Sequence, residues 1–174
     1  MGAGAGSTFL NFAYGSNMLT ERLRERVPSA RPVTIAVLAG HELRWHKVSR
    51  DGSGKCDIAE TETPLAAVHG VVHEILLTEK PALDQAEGLG NGYAEKQVLL
   101  DSAIGPLRVQ TYYATQIEPS MLPYTWYKAL VIAGAKQHGL PQGYVSALEA
   151  VVAKVDPDAK RARKNFAIAN ADRT

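Results

Sequence analysis

The chain has 174 residues, 45% of them hydrophobic and 21% charged, with a formal net charge of +1. This is the profile of one globular domain with a sizeable core; it excludes a disordered or fibrous chain and gives no global field for nucleic acid or an anionic membrane. The single cysteine, Cys56, rules out an intrachain disulfide and a cysteine-rich zinc site, and fits a reducing compartment.

Residues 1–8 read as a flexible tail of Gly, Ala, Ser and Thr with neither the basic nor the apolar region of a signal peptide. The longest mostly apolar runs, 67–77 and 129–135, fall short of the ~18 residues of a membrane span. A cytoplasmic protein without a membrane partner is the expectation. Residues 9–14 form an aromatic-rich apolar run, read as a buried strand. Gly15, Ser16 and Asn17 signal a turn, and a short helix follows over 18–26, capped by Ser16 or Asn17 and stopped by Pro28.

Two strands, 33–38 and 41–48, join near Gly40; a loop at 51–54 leads to a strand over 56–62. Residues 67–77 make a long strand, with Gly70 inside it as a candidate bulge. Thr78 caps a short helix that tolerates Pro81 in its first turn and ends near Gly88. Strands 93–101 and 107–115 connect around Gly105 and Pro106. A helix over 124–138 is closed by Gly139, and Pro141 opens another that runs to about Lys154. Short strand connections suit antiparallel pairing. The fold class is therefore α+β: a single domain with a mixed, mostly antiparallel, curled or barrel-like sheet and a few helices. Its parts are a tail at 1–8, a catalytic domain at 9–155 and a charged C-terminal extension at 156–174.

Several patterns carry no chemistry. The glycines of residues 2–6 follow no strand, and those of 88–92 follow a helix, so neither is a dinucleotide fingerprint; no GxxxxGK[ST] or GxSxG occurs. His69 and His73 share a strand face two pleats apart, too far for one metal, so the histidines read as packing groups and no metal is expected. The cluster Lys160, Arg161, Arg163 and Lys164 reads as a solvated helix face rather than an RNA patch.

Two features do carry chemistry. The run Phe12-Ala13-Tyr14-Gly15-Ser16-Asn17-Met18 lies between a strand and a helix start, where backbone N–H groups can converge on a small anion and Gly15 permits close approach. Glu87 sits at a helix C-terminus beside Leu83 and Leu89. The helix dipole and an apolar setting would both raise its pKa, which suits a general acid/base.

Together with Gly70-Val71-Val72, Tyr93, Tyr127-Lys128 and Gly134-Ala135-Lys136-Gln137-His138-Gly139-Leu140-Pro141, these two features resemble the γ-glutamylcyclotransferase (AIG2-like) family from Phe9 to about Glu149. The resemblance implies a small mixed α/β barrel-like domain with a pocket at one end. It implies Glu87 as the acid/base, and Tyr14, Gly15, Ser16, Asn17, Met18, Tyr93 and Tyr127 as substrate-binding residues. The implied reaction turns a γ-glutamyl amide into 5-oxoproline and a free amino acid or amine, without metal or cofactor, in a monomer or homodimer. Glutathione-specific relatives carry a YGSLxW-type turn; Asn17 and Met18 here point instead to γ-glutamyl amino acids, γ-glutamyl amines or γ-glutamyl tails of natural products. The variable loops around 51–55 and 116–125 are the expected contacts of the leaving group. The competing class is a non-catalytic module that binds a small carboxylate, for which a buried Glu87 would bring no advantage.

Overall fold

The computed structural model describes residues 6–171. Residues 1–5, which hold most of the expected tail and of the first glycine-rich stretch, lie outside the described residues.

The chain runs through β1 (Thr8–Ala13), α1 (Thr20–Arg24), β2 (Arg31–Ala39), β3 (His41–Val48), β4 (Gly54–Glu60), β5 (Ala67–Leu76) and α2 (Lys80–Glu87). It continues through β6 (Tyr93–Ser102), β7 (Leu107–Ala114), α3 (Thr125–Gln137), α4 (Gln142–Glu149) and α5 (Ala159–Ala169). Five strands close a barrel in the order β1-β5-β2-β6-β7. All neighbours are antiparallel except β1 and β7, which meet in parallel at Asn11 and Gln110. A parallel pair needs a long crossover, and almost the whole barrel lies between these two strands. Closure leaves no free sheet edge on the barrel. β3 and β4 form a separate two-stranded ribbon.

Gly40 turns the chain with φ +72° from β2 into β3, yet the two strands belong to different sheets. Gly70 is not a bulge: it pairs in register with Ala36, and the irregularity lies in β2 between Pro32 and Thr34. A Cβ on Gly70 would lie 2.4 Å from the Ala13 carbonyl oxygen and 2.5 Å from the Phe12 ring, so glycine lets β1 pack close against β5.

The expected caps are corrected. Ser16–Met18 form a 3-10 turn, and α1 starts only at Thr20; neither Ser16 nor Asn17 caps it, nor does Thr78 cap α2. Pro81 does occupy the first turn of α2, and Gly88 at φ +73° ends that helix in the left-handed conformation. α4 stops at Glu149, and the following segment turns back along the start of α3, where Lys154 O accepts from Thr125 N and Lys154 N donates to Pro123 O.

Residues 156–169 pack onto the body of the fold. Buried Asp156 accepts from Trp126 Nε1 of α3 at 2.8 Å and from Arg161 Nε at 2.6 Å; these hydrogen bonds hold its carboxyl well below the usual carboxylate range. Lys160, Arg163 and Lys164 line the exposed face of α5.

The main core joins the barrel interior to α3 through Phe12, Val71, Leu100, Val109 and Leu130. A second cluster, with Leu23, Ile75, Leu83 and Tyr112, seats α1 and α2 on the outside of the barrel. Among the described residues no helix is long and apolar enough to cross a membrane.

Candidate active site

β1 ends by delivering Tyr14 and Gly15 to the mouth of a cavity of about 220 Å³. The turn residues Tyr14, Gly15, Ser16 and Asn17 line it, and Glu87 of α2, Tyr93 of β6 and Tyr127 of α3 reach it from three other elements. Seven of the eight residues singled out in the sequence therefore meet at one place. Met18 does not: it is fully buried against α3, where a Cβ on Gly134 would lie 2.7 Å from its own Cβ. It supports the turn from behind.

The turn keeps donors in reserve. Met18 N donates to Gly15 O at 3.1 Å and Leu19 N to Ser16 O at 3.2 Å. The first N–H groups of a helical turn have no partner within it, which leaves those of Ser16 and Asn17 for a ligand. Gly15 has φ −110°, open to any residue, so the requirement there is space. A Cβ would lie 2.9 Å from Tyr127 Oη and 3.2 Å from Cys56 Cβ.

Three tyrosines brace the cavity. Tyr14 Oη donates to Tyr112 O at 2.6 Å, Tyr93 Oη donates to Cys56 O at 2.7 Å, and Tyr127 Oη accepts from Cys56 N at 3.1 Å. Burial above all, with a smaller push from the Glu87 carboxylate, holds all three hydroxyls well above the usual phenol range. They stay neutral and hold shape. Burial likewise pushes the Cys56 thiol up to about 12, which removes it as a nucleophile; its backbone ties the tyrosines together.

Glu87 occupies the last position of α2. Its helix is pinned by Leu83 in the second core and by Asp84, which accepts from Tyr112 Oη at 2.6 Å and from Lys80 at 2.9 Å. The expected apolar setting is not what surrounds the carboxylate. Glu87 Oε1 accepts from Asn17 Nδ2 and from Arg26 Nη1 at 3.3 Å, and Arg26 Nη1 also donates to Asn17 Oδ1 at 2.9 Å. Leu83 points away into the core. Both contacts use Oε1, so among the described residues none bonds Oε2. The carboxyl group is held at one oxygen and open at the other.

The wall also carries cations that the sequence did not single out: Arg22, Arg26, Lys47 and Lys55. Arg22 has a buried Nε without a hydrogen-bond partner, and burial together with Arg26 lowers its pKa. Lys55 lies 4.5 Å from the Trp126 ring and 4.6 Å from that of Tyr127, paired with Asp51 at 2.8 Å. On short amphipathic segments such charges look like ordinary solvated residues, so only the spacing of Arg22 and Arg26, four apart, was a weak signal. Of the expected leaving-group loops, Lys55 reaches the cavity and none of residues 116–125 does.

The histidines act as packing groups: His69 lies against Tyr144 with ring centroids 4.7 Å apart and planes tilted by 50°, and His73 and His138 both contact Thr20 Oγ1. Among the described residues no three His, Cys, Asp or Glu side chains gather as a metal site.

A cavity braced by neutral tyrosines, with spare N–H donors, a cationic wall and one half-open carboxylate, is suited to a small zwitterionic substrate that exchanges protons. Comparison with known proteins agrees. The AIG2-like family matches residues 67–148. γ-Glutamylcyclotransferase of Mus musculus is 35% identical over 159 residues, covering 84% of this chain and 80% of the mouse protein. That of Homo sapiens is 35% identical over 151 residues, covering 83% and 79%. A solved γ-glutamyl cyclotransferase structure superposes with a TM-score of 0.79 at 31% identity, over 91% of this chain and 99% of the other. With this identity over most of both chains and a barrel that superposes on theirs, the chain belongs to the γ-glutamylcyclotransferase family.

Proposed function

We propose that the protein cyclises γ-glutamyl amides to 5-oxoproline, with Glu87 as the single proton carrier. The carrying observation is Glu87 itself: its carboxylate is fixed at Oε1 by Asn17 and Arg26 and has Oε2 free at the cavity. The substrate's α-ammonium gives a proton to Glu87. The freed amine attacks the γ-carbonyl carbon of the same residue, and a C–N bond closes the five-membered ring. The tetrahedral oxyanion is stabilised by N–H donors of the turn. Glu87 returns its proton to the departing nitrogen, the old amide bond breaks, and the second proton lost by the α-nitrogen ends on the released amine. The nucleophile is tethered, and such closures reach effective molarities of ~10⁵–10⁸ M, so positioning and proton transfer are what the protein must add. No step calls for a metal or cofactor.

Arg22 is suited to the substrate's α-carboxylate, which would satisfy its orphaned Nε. The turn motif, with Asn17 and Met18 in place of the pattern of glutathione-specific relatives, supports γ-glutamyl amino acids or amines over glutathione as substrates. The test is to incubate the purified protein with γ-glutamyl-L-alanine and measure 5-oxoproline by mass spectrometry. Glu87→Gln keeps the shape of the side chain but cannot shuttle a proton, and should lower kcat by ~10²–10⁴-fold with an unchanged circular dichroism spectrum. Near wild-type turnover in that variant would remove Glu87 from the mechanism.

A further inference from the structure

The cavity does not end at Glu87. Ala86 and Glu87 from α2 and Lys47 and Ser49 from the end of the β3–β4 ribbon also line a second, outer cleft of about 820 Å³. Its remaining wall includes Arg50, Gln85, Asn91 and Gln116. Glu87 thus stands between two spaces. With the γ-glutamyl group inside, the nitrogen that takes the proton from Glu87 lies at the boundary, and whatever is attached to it continues into the outer cleft.

Lys47 marks the same boundary. Its place follows from a break in the β3–β4 register between Arg44 and Lys47, after which the strand pairs again. The ammonium sits 4.6 Å from the Tyr93 ring centroid. It is seated against Gly92, where a Cβ would lie 3.0 Å from Lys47 Cε and 3.2 Å from Nζ. The other three cations on the cavity wall each have a carboxylate at hand: Arg22 with Glu25 at 3.5 Å, Arg26 with Glu87 at 3.3 Å and Lys55 with Asp51 at 2.8 Å. Lys47 has no ion pair and no side-chain hydrogen bond with any described residue, and burial pulls its pKa below that of a free lysine. Glu87 and Asp51 are near enough to favour its charged form but make no direct contact, so the half-buried ammonium on its aromatic face still has its hydrogen-bond donors open to a ligand anion.

We infer that Lys47 is the residue that discriminates between leaving groups, by binding the carboxylate of a leaving α-amino acid, for which a γ-glutamyl amine offers no partner. This rests on the cyclotransferase reading above. The geometry of the substrate supports it: in a leaving α-amino acid the carboxylate is two bonds from the scissile nitrogen, and Lys47 borders the cavity at the point where that nitrogen meets Glu87. An amine without a carboxylate leaves the ammonium as it is in the free protein and gains nothing from it. The polar side chains further out suit a water-exposed amino-acid side chain and impose no tight fit.

The test compares kcat/KM for γ-glutamyl-L-alanine and γ-glutamyl-isopropylamine, in which a methyl group replaces the carboxylate. The wild-type protein should favour the alanine substrate by about 10–100-fold, the range of one charge-assisted hydrogen bond. Lys47→Met should bring that ratio down by at least tenfold, and Lys47→Arg should keep most of it. Because the ratio cancels any damage common to both substrates, a purely structural role for Lys47 would leave it unchanged, and an unchanged ratio overturns the inference. Absence of 5-oxoproline from both substrates in the wild-type protein would instead overturn the cyclotransferase reading, and this inference with it.

Discussion

Gly15 shows how one missing side chain can shape a site. It is the point where the turn from β1, the Tyr127 hydroxyl and Cys56 come together, and the distances leave no room for a methyl group. Its φ of −110° does not demand glycine, so Gly15→Ala should still fold, with a melting temperature lowered by the crowding and by the loss of one buried hydrogen bond, which costs about 1–3 kcal/mol. The added carbon would force Tyr127 Oη off the Cys56 N–H and shift the donors of the turn. A misplacement of this size costs ~10–100-fold in rate when reacting groups are aligned by contact. Because the turn faces the glutamyl part that all substrates share, kcat/KM should fall by similar factors for two γ-glutamyl substrates with different leaving groups. A loss confined to one of them would mean that the turn contacts the leaving group.

At the scale of elements, α3 positions the site from behind. Its first turn supplies Tyr127, and Gly134 two turns later lies against the 3-10 turn Ser16–Met18. A Cβ on Gly134 would be 2.5 Å from Leu19 N and 2.7 Å from Met18 Cβ. Two effects compete in Gly134→Ala. Helix propensity favours alanine by ~1 kcal/mol. Overpacking against backbone costs ~1–3 kcal/mol. A backbone nitrogen cannot swing aside as a long side chain can, so the second effect wins: the melting temperature should fall by several degrees and kcat should fall with it. A more stable variant of unchanged activity would show that α3 does not hold the turn in place. Glu87 depends on its own element in the same way, since Gly88, Leu83 and Asp84 decide where α2 ends and which way it faces.

At the scale of the whole molecule, the closed barrel buries ionisable groups where they meet helices. His73 of β5 is fully buried, contacts Thr20 through Nε2, and has no partner at Nδ1. Burial, with His138 and Arg24 nearby, lowers its pKa from 6.5 to about 3. The sign follows from linkage: between pH 6.5 and 3 the unfolded chain binds a proton at His73 that the native chain refuses. Its contribution is therefore intact above pH 6.5 and is lost as pH falls through this window, at up to about 1.4 kcal/mol per pH unit. Urea unfolding at pH 7.5 and at pH 5 should show this loss in the wild type and a smaller one in His73→Asn. Equal losses would assign the acid sensitivity to other groups.

The amino-acid sequence determined what depends on neighbours within a few positions. The strand–turn–helix around Gly15 follows from apolar spacing, and the helix stop at Gly88 and the end of α3 before Gly139 follow from the left-handed backbone that glycine permits; both act locally. The family resemblance was legible for a related reason, because its turn and its carboxylate are short motifs. The tertiary structure alone decided the surroundings of Glu87: Leu83 and Leu89 are its sequence neighbours, but Arg26 and Asn17, 61 and 70 residues away, hold the carboxylate. It alone placed Lys47 and Lys55 on the wall, joined β1 to β7, and showed why Gly70 and Gly134 must lack side chains. Contacts of this kind are set by the register and closure of the barrel, which minimise exposed apolar surface and unpaired backbone over the whole chain at once; no stretch of a few residues carries that information.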